Sequence, residues 1–112
     1  MCSESQLKSI IKAVVQSYRA VYGSDIEEIM LYGSYARGDY DNNSDIDIVA
    51  VVHGSRSELQ EKLKTVWDDS AEIGLENDIV VSPTVIPYDE FTEYKQSLPY
   101  YRNIAEEGRK IG

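Results

Sequence analysis

Two aspartates in an apolar stretch, Asp45 and Asp47, are the side chains in this sequence best suited to chemistry. Side chains alternate along a strand, so both carboxylates are expected on one face while Ile46 and Ile48 face a core. Carboxylates this close repel each other, and a divalent cation removes that repulsion. Mg²⁺ typically takes one or two carboxylates plus substrate phosphates. The spacing therefore fits a metal site better than an acid/base pair, and the alternative is two solvated aspartates at the start of a strand.

A glycine–serine pair, Gly33-Ser34, precedes Asp45 by ten intervening residues. Glycine allows the backbone to approach a phosphate closely, and Ser34 can offer its hydroxyl and its N–H at the start of a short helix. Arg37 can pair either with a triphosphate oxygen or with a neighbouring surface aspartate, and the sequence favours neither. The two features together predict a site for metal-assisted transfer of a nucleotide.

A third carboxylate is needed if two metal ions are to be held, as is common in nucleotidyl transfer. Asp78 is the best candidate, because it opens the apolar segment 79–81, which is predicted to lie beside the strand of Asp47. Glu72 and Glu76 are weaker candidates in the preceding helix or loop. The alternative for Asp78 is a strand-end aspartate that faces water.

The elements that must position these groups follow from hydrophobic spacing and from turn residues. The pattern predicts an α/β (α+β) domain, with a small mixed β-sheet and helices packed on one side. The helices are expected over about 5–22, from 34, over about 57–70, from 87 and over about 100–107, and the strands over 26–32, 44–52 and 77–86. The second strand is apolar on both faces in its second half, as central strands are. Pro83 suggests that the third strand ends there or lies at a sheet edge.

The size and charge of the chain limit the classes of function that it can have. The 112 residues are expected to form one domain, 1–112, with a net charge of −9 that argues against direct nucleic-acid binding but not against a nucleotide. The acidity leaves room for a basic protein partner, or only keeps the domain soluble. The sequence has no long apolar run that would predict a membrane helix, and the N-terminus does not resemble a signal peptide. The single cysteine, Cys2, cannot form an internal disulfide, so a cytoplasmic location is expected.

These residues resemble a known family. Gly-Ser, ten residues, then Asp-hydrophobic-Asp is similar to the signature of the DNA polymerase β nucleotidyltransferase superfamily. The fuller strings 33–38 and 44–48 resemble its minimal nucleotidyltransferase (MNT) branch. Weaker similarity extends to 77–81, where that family carries its third acid, and to 104–108. The resemblance implies a polymerase β-like nucleotidyltransferase fold.

The same resemblance implies roles for individual residues. Gly33 and Ser34 would bind the phosphates of ATP, Asp45 and Asp47 would hold two Mg²⁺ ions, and Asp78 would complete the metal site. In the MNT branch it further implies an antitoxin, which pairs with a helical HEPN ribonuclease toxin and transfers AMP from ATP to a tyrosine of that toxin.

Two other functions stay open from the sequence. The chain can be a non-catalytic antitoxin that neutralises its partner by forming a complex. It can also adenylylate a small cationic molecule such as an aminoglycoside, although such enzymes usually need a second domain to hold the drug.

Overall fold

A computed structural model describes residues 3–41 and 43–112, so the expectation about Cys2 and one residue of the polar turn at 39–43 lie outside the described residues. The elements follow one another as helix, strand, short helix, strand, helix, strand, two helices and a final short strand. Their bounds are α1 (Glu4–Tyr22), β1 (Ile26–Tyr32), α2 (Ser34–Arg37), β2 (Ile46–Val52), α3 (Arg56–Asn77), β3 (Val81–Pro87), α4 (Tyr88–Tyr94), α5 (Pro99–Glu107) and β4 (Arg109–Lys110). Within the described residues, no helix is both long and apolar enough to span a membrane.

The four strands form one mixed sheet in the order β3-β2-β1-β4. β1 pairs antiparallel with β2 and with β4, whereas β2 and β3 run parallel. The predicted α/β class with a small mixed sheet is therefore confirmed. β2 is central, as its apolar sequence indicated, and β3 lies at an edge, as Pro83 suggested, although it continues to Pro87.

Two layers of helices enclose the sheet. The long helices α1 and α3 cover one face, where Ile46, Ile48 and Ala50 of β2 join the larger core. The short helices α4 and α5 cover the other face, where Val49 and Val51 join a second, smaller core. The prediction of helices on one side holds for the two long helices, and the C-terminal pair adds the second layer.

The side-chain hydroxyl of Tyr18 ties α1 to the sheet. Tyr18 is fully buried, and its hydroxyl lies 2.9 Å from the carbonyl oxygens of Ile48 and Thr84 and accepts the Thr84 N–H at 3.0 Å. It thus bridges β2 and β3 next to Pro83, which cannot donate to the ladder. Burial raises the pKa of the Tyr18 phenol well above its ordinary value, so this hydroxyl stays protonated.

Helix α3 is longer than the sequence predicts. Gly74 is expected to end that region, but the helix continues to Asn77 and β3 begins only at Val81. A Cβ built on Gly74 would lie 2.5 Å from the carbonyl oxygen of Ile79, so this glycine allows the chain to fold back closely against the helix. Asp78 makes that turn with a left-handed backbone, φ +53°.

Candidate active site

The candidate site lies at the end of the sheet where β1 ends and β2 begins. Tyr32 is directly opposite Asp47 in the antiparallel ladder, and Gly33 follows at once. Gly33 has φ +76° and ψ −152°, a region that is essentially restricted to glycine. A Cβ built on it would lie only 2.7 Å from the Asp47 Oδ2 atom. The absence of a side chain at Gly33 therefore leaves the space that the Asp47 carboxylate occupies, and any larger residue would displace that carboxylate.

The short helix α2 starts beside this contact. Ser34 is its first residue, so its hydroxyl and N–H lie at the same end of the sheet as Asp47. The amides of Ala36 and Arg37 donate to the Gly33 carbonyl, and Gly38 ends the helix in a left-handed conformation. The predicted Gly33-Ser34 turn followed by a short helix is confirmed as local structure. Its role in binding phosphate stays a prediction.

Asp45 and Asp47 share this end of the sheet. Asp45 is exposed, one residue before β2, and Asp47 is half-buried on the strand. Burial raises the pKa of the Asp47 carboxyl above its ordinary value, and the charge of Asp45 raises it further. Within residues 3–41 and 43–112, neither carboxylate takes part in an ion pair. Two neighbouring acids in such a setting form an oxygen-rich site of the kind that divalent cations occupy.

Asp78 does not join these two aspartates. It caps the C-terminus of α3 as an exposed residue, three positions before β3, instead of opening that strand as expected. Among the described residues, no group of three or more histidine, cysteine, aspartate or glutamate side chains is placed to hold a metal ion. The expected three-carboxylate cluster of Asp45, Asp47 and Asp78 is thus not assembled among the described residues, and a role of Asp78 at the site stays a prediction. The reason is the extra length of α3, which delays the start of β3.

Hydroxyl groups stand beside Asp47 on the neighbouring strand. In the parallel ladder Ser82 is opposite Asp47 and Thr84 is opposite Val49. Alternation places the side chains of Asp47, Ser82 and Thr84 on one face of the sheet. Sequence analysis missed these two residues, because the register of β3 against β2 is a long-range feature.

A pair of tyrosines borders the same face. The rings of Tyr32 and Tyr100 meet edge to face with centroids 6.1 Å apart, and Tyr100 is half-exposed at the start of α5. Burial raises the pKa of the Tyr100 phenol, the charges of Tyr32 and Asp47 add to this, and a hydrogen bond with Thr84 opposes it. Tyr100 therefore belongs to the surroundings of Asp47, although 53 residues separate them and no local motif marks it.

Two other tyrosines near the motif, Tyr35 and Tyr40, stack on each other. Their ring centroids are 4.2 Å apart and nearly parallel, and Tyr35 is buried in the larger core. Tyr35 is thus part of the core, and Tyr32 is the motif-proximal tyrosine that lies against the Asp47 face.

Arg37 contacts two carboxylates. Its Nε donates to Asp39 Oδ2 at 3.3 Å, and its Nη1 lies 3.6 Å from Glu107 Oε2 at the end of α5. The hydrogen bond from Arg37 to Asp39 raises the pKa of the guanidinium, and Glu107 adds to this. Of the two possibilities left open by the sequence, this structure displays the pairing with Asp39. Phosphate binding by Arg37 stays a prediction.

Comparison with known proteins agrees with the geometry. The family described as "Nucleotidyltransferase domain" matches residues 7–111. The chain belongs to this nucleotidyltransferase family. A candidate protein adenylyltransferase from Methanocaldococcus jannaschii is 33% identical over 101 residues, which cover 90% of this chain and 93% of the relative. A second candidate protein adenylyltransferase of that organism is 32% identical over 80 residues, 71% of this chain and 79% of the relative.

Solved structures share the fold. A crystal structure of a toxin–antitoxin with AMP-PNP aligns with a TM-score of 0.57 at 18% identity, covering 89% of this chain and 70% of that chain. A candidate nucleotidyltransferase from Sulfolobus solfataricus aligns with a TM-score of 0.52 at 23% identity, covering 97% of this chain and 87% of that chain. The predicted nucleotidyltransferase fold is thereby confirmed.

Proposed function

We propose that this nucleotidyltransferase transfers AMP from ATP to a hydroxyl of a partner protein and acts as an antitoxin. The close approach of Gly33 to the Asp47 carboxylate carries the proposal, because it joins the metal-type and phosphate-type groups in one site. The target is proposed to be a tyrosine of a HEPN-type toxin. Similarity to a candidate protein adenylyltransferase supports protein as the acceptor, and the fold shared with toxin–antitoxin structures supports the antitoxin role.

The chemistry is a substitution at the α-phosphorus of ATP. The acceptor hydroxyl releases its proton to solvent, its oxygen forms a bond to that phosphorus, the bond from the phosphorus to the bridging oxygen breaks, and pyrophosphate leaves. The Ser34 hydroxyl and N–H donate to phosphate oxygens, and Gly33 leaves room for them beside Asp47. The attached AMP would add bulk and negative charge at the modified site of the toxin, and so inhibit it.

Asp45 and Asp47 would hold divalent cations, which we propose to be Mg²⁺. The fit rests on the proximity of two like charges and on the raised pKa of Asp47, both of which a cation relieves. When bound, the cation would neutralise phosphate charge and ease deprotonation of the acceptor hydroxyl. Asp78 is left out of this proposal, because it stands apart from the pair.

The decisive experiment uses the purified chain, ATP, Mg²⁺ and the protein encoded next to it in the genome. We expect the mass of that partner to rise in steps of one AMP. The matched control is Asp45→Asn/Asp47→Asn, which keeps side-chain shape, removes both charges and should abolish the mass gain. A partner that stays unmodified with the wild-type chain would refute the catalytic proposal.

The second candidate function is neutralisation of the partner toxin by complex formation alone. It is tested by asking whether the Asp45→Asn/Asp47→Asn variant protects cells that express the partner. If that variant neutralises the partner as well as the wild type does, complex formation alone is sufficient. The chain is then a non-catalytic antitoxin.

A further inference from the structure

A groove with a volume of about 520 Å³ lies between α3 and the start of β3. We call it the α3–β3 groove, and it is lined chiefly by Trp67, Ser70, Ala71, Leu75, Ile79 and Val80. It opens on the side of the sheet that α3 covers, whereas Asp47 faces the side of α4 and α5. The groove is therefore separate from the candidate active site.

The groove exposes large apolar side chains. Trp67 is 47% exposed, Leu75 85% and Val80 58%. Three large exposed apolar side chains that line one groove form a candidate contact surface for a partner. Packing within the described fold leaves a large part of each of these three side chains exposed to solvent.

A buried polar atom lies in the same groove. The Ser70 side chain has 0% exposure, and its hydroxyl is without a hydrogen-bond partner among the described residues. Such an atom costs free energy unless something pairs with it.

Acidic residues border the apolar stripe. Asp68, Glu72 and Glu76 each follow a groove residue by one position, so they form a parallel stripe along α3, and all three are exposed. The exposed Asp78 closes the end of the helix. The sequence contains no lysine or arginine between Lys64 and Lys95. The border of the groove therefore has one sign of charge and suits a basic partner.

The edge of β3 is poorly suited to pairing with another strand. The Thr84 N–H donates to the Tyr18 hydroxyl, which also bonds to the Ile48 carbonyl of β2, so the backbone groups of Thr84 face β2. Because backbone groups alternate in direction along a strand, the nitrogens of Pro83 and Pro87 face the open edge. Proline cannot donate to a ladder, and proline on an edge strand blocks pairing. With strand addition disfavoured, an amphipathic helix lying with its apolar face in the groove fits this surface.

We propose that the α3–β3 groove docks an amphipathic helix of a partner protein, with an apolar face on Trp67 and Leu75 and with lysine or arginine along its flanks. Docking at this site goes beyond nucleotidyl transfer and does not need ATP. A second copy of this chain is a poor occupant, because it would bring the same negative charges.

Trp67 is the only tryptophan in the chain, so its fluorescence reports on the groove alone. The probe is a synthetic helical peptide with a leucine face and lysine flanks, and the control peptide has glutamate in place of every lysine. We expect the lysine peptide to shift Trp67 emission to shorter wavelength and to bind at least tenfold more tightly than the glutamate peptide.

Variants test whether the groove itself binds the peptide. Leu75→Lys/Val80→Lys should weaken binding at least tenfold. Tyr94→Lys/Leu98→Lys adds the same charge at two other exposed apolar residues and should change binding less than twofold. Asp45→Asn/Asp47→Asn should bind the peptide like the wild type, which separates this test from that of the proposed function.

Three results would overturn the proposal. The first is equal affinity for the lysine and glutamate peptides. The second is equal weakening by the two lysine variants. The third is self-association in sedimentation that only Leu75→Lys/Val80→Lys abolishes, which would make a second copy the occupant.

Discussion

Replacing Gly33 by alanine tests whether the close approach of Gly33 to Asp47 builds the site. Two costs are expected. The backbone conformation, φ +76° and ψ −152°, costs about 1–3 kcal/mol for a residue with a Cβ. The new methyl carbon would also lie 2.7 Å from Asp47 Oδ2, so the carboxylate must move. We therefore expect a loss of stability together with a displaced Asp47.

The matched control is Gly38→Ala at the other end of α2. Gly38 has φ +85°, so alanine there costs about 1–2 kcal/mol of backbone energy. A Cβ built on Gly38 would meet no heavy atom of the described residues within 4 Å, so Asp47 is untouched. Gly33→Ala should thus lose at least as much free energy of unfolding as Gly38→Ala, and only Gly33→Ala should disturb the Asp47 carboxylate.

Two assays separate them. Denaturant unfolding gives the stability of each variant, and calorimetry gives the Mg²⁺-linked affinity for AMP-PNP. We expect Gly33→Ala to weaken that affinity at least tenfold, about 1.4 kcal/mol, and Gly38→Ala to leave it nearly unchanged. Carbon NMR titration should also show the raised pKa of Asp47 moving in Gly33→Ala and not in Gly38→Ala. Equal affinities and equal Asp47 titrations in the two variants would refute the reasoning.

The remaining predictions concern pH and buried hydroxyls. The folded-state pKa of Asp47 is raised above its ordinary 3.8, so the charged form of this carboxyl opposes folding. Asp47→Asn should therefore become more stable than the wild type as pH rises through 3.8 and above, and should lose this advantage in acid. Urea unfolding at several pH values measures the difference. Tyr18→Phe should cost about 1–3 kcal/mol by thermal unfolding, because it leaves backbone groups of β2 and β3 unpaired, whereas Tyr94→Phe at an exposed position should change little. Ser70→Ala should raise stability by about 1 kcal/mol by removing an unpaired hydroxyl, while Ser17→Ala should lower it by losing the 2.6 Å bond to Asp69; the same sign for both would contradict this.

The local parts of the structure were predictable. The spacing of apolar residues located α1 and β1 within a residue or two. The glycine–serine turn and the placement of Asp47 on a strand also followed from the sequence. These features depend on neighbours a few residues apart, so hydrophobic periodicity and turn preferences are sufficient to predict them.

The wrong predictions of element bounds concern the junction between α3 and β3. Glycine often ends helices, which is why the sequence predicts a helix end at Gly74. Here Gly74 stays inside α3 and allows the Ile79 carbonyl to pack against the helix. That packing depends on where β3 lies, and it is the reason that Asp78 turns the chain instead of entering the sheet. The two-residue strand β4 was missed for a similar reason, since it exists only through its pairing with β1.

By itself, the sequence determined the chemical groups and their local geometry: Gly33-Ser34 in a turn, and Asp45 and Asp47 two residues apart at the start of a strand. Only the tertiary structure decided what surrounds them. The parallel register of β3 set Ser82 beside Asp47, the packing of α5 brought in Tyr100, and the length of α3 kept Asp78 away. The physical reason is that spacing within one element fixes which side chains share a face, whereas register and packing between elements depend on residues far apart in the chain.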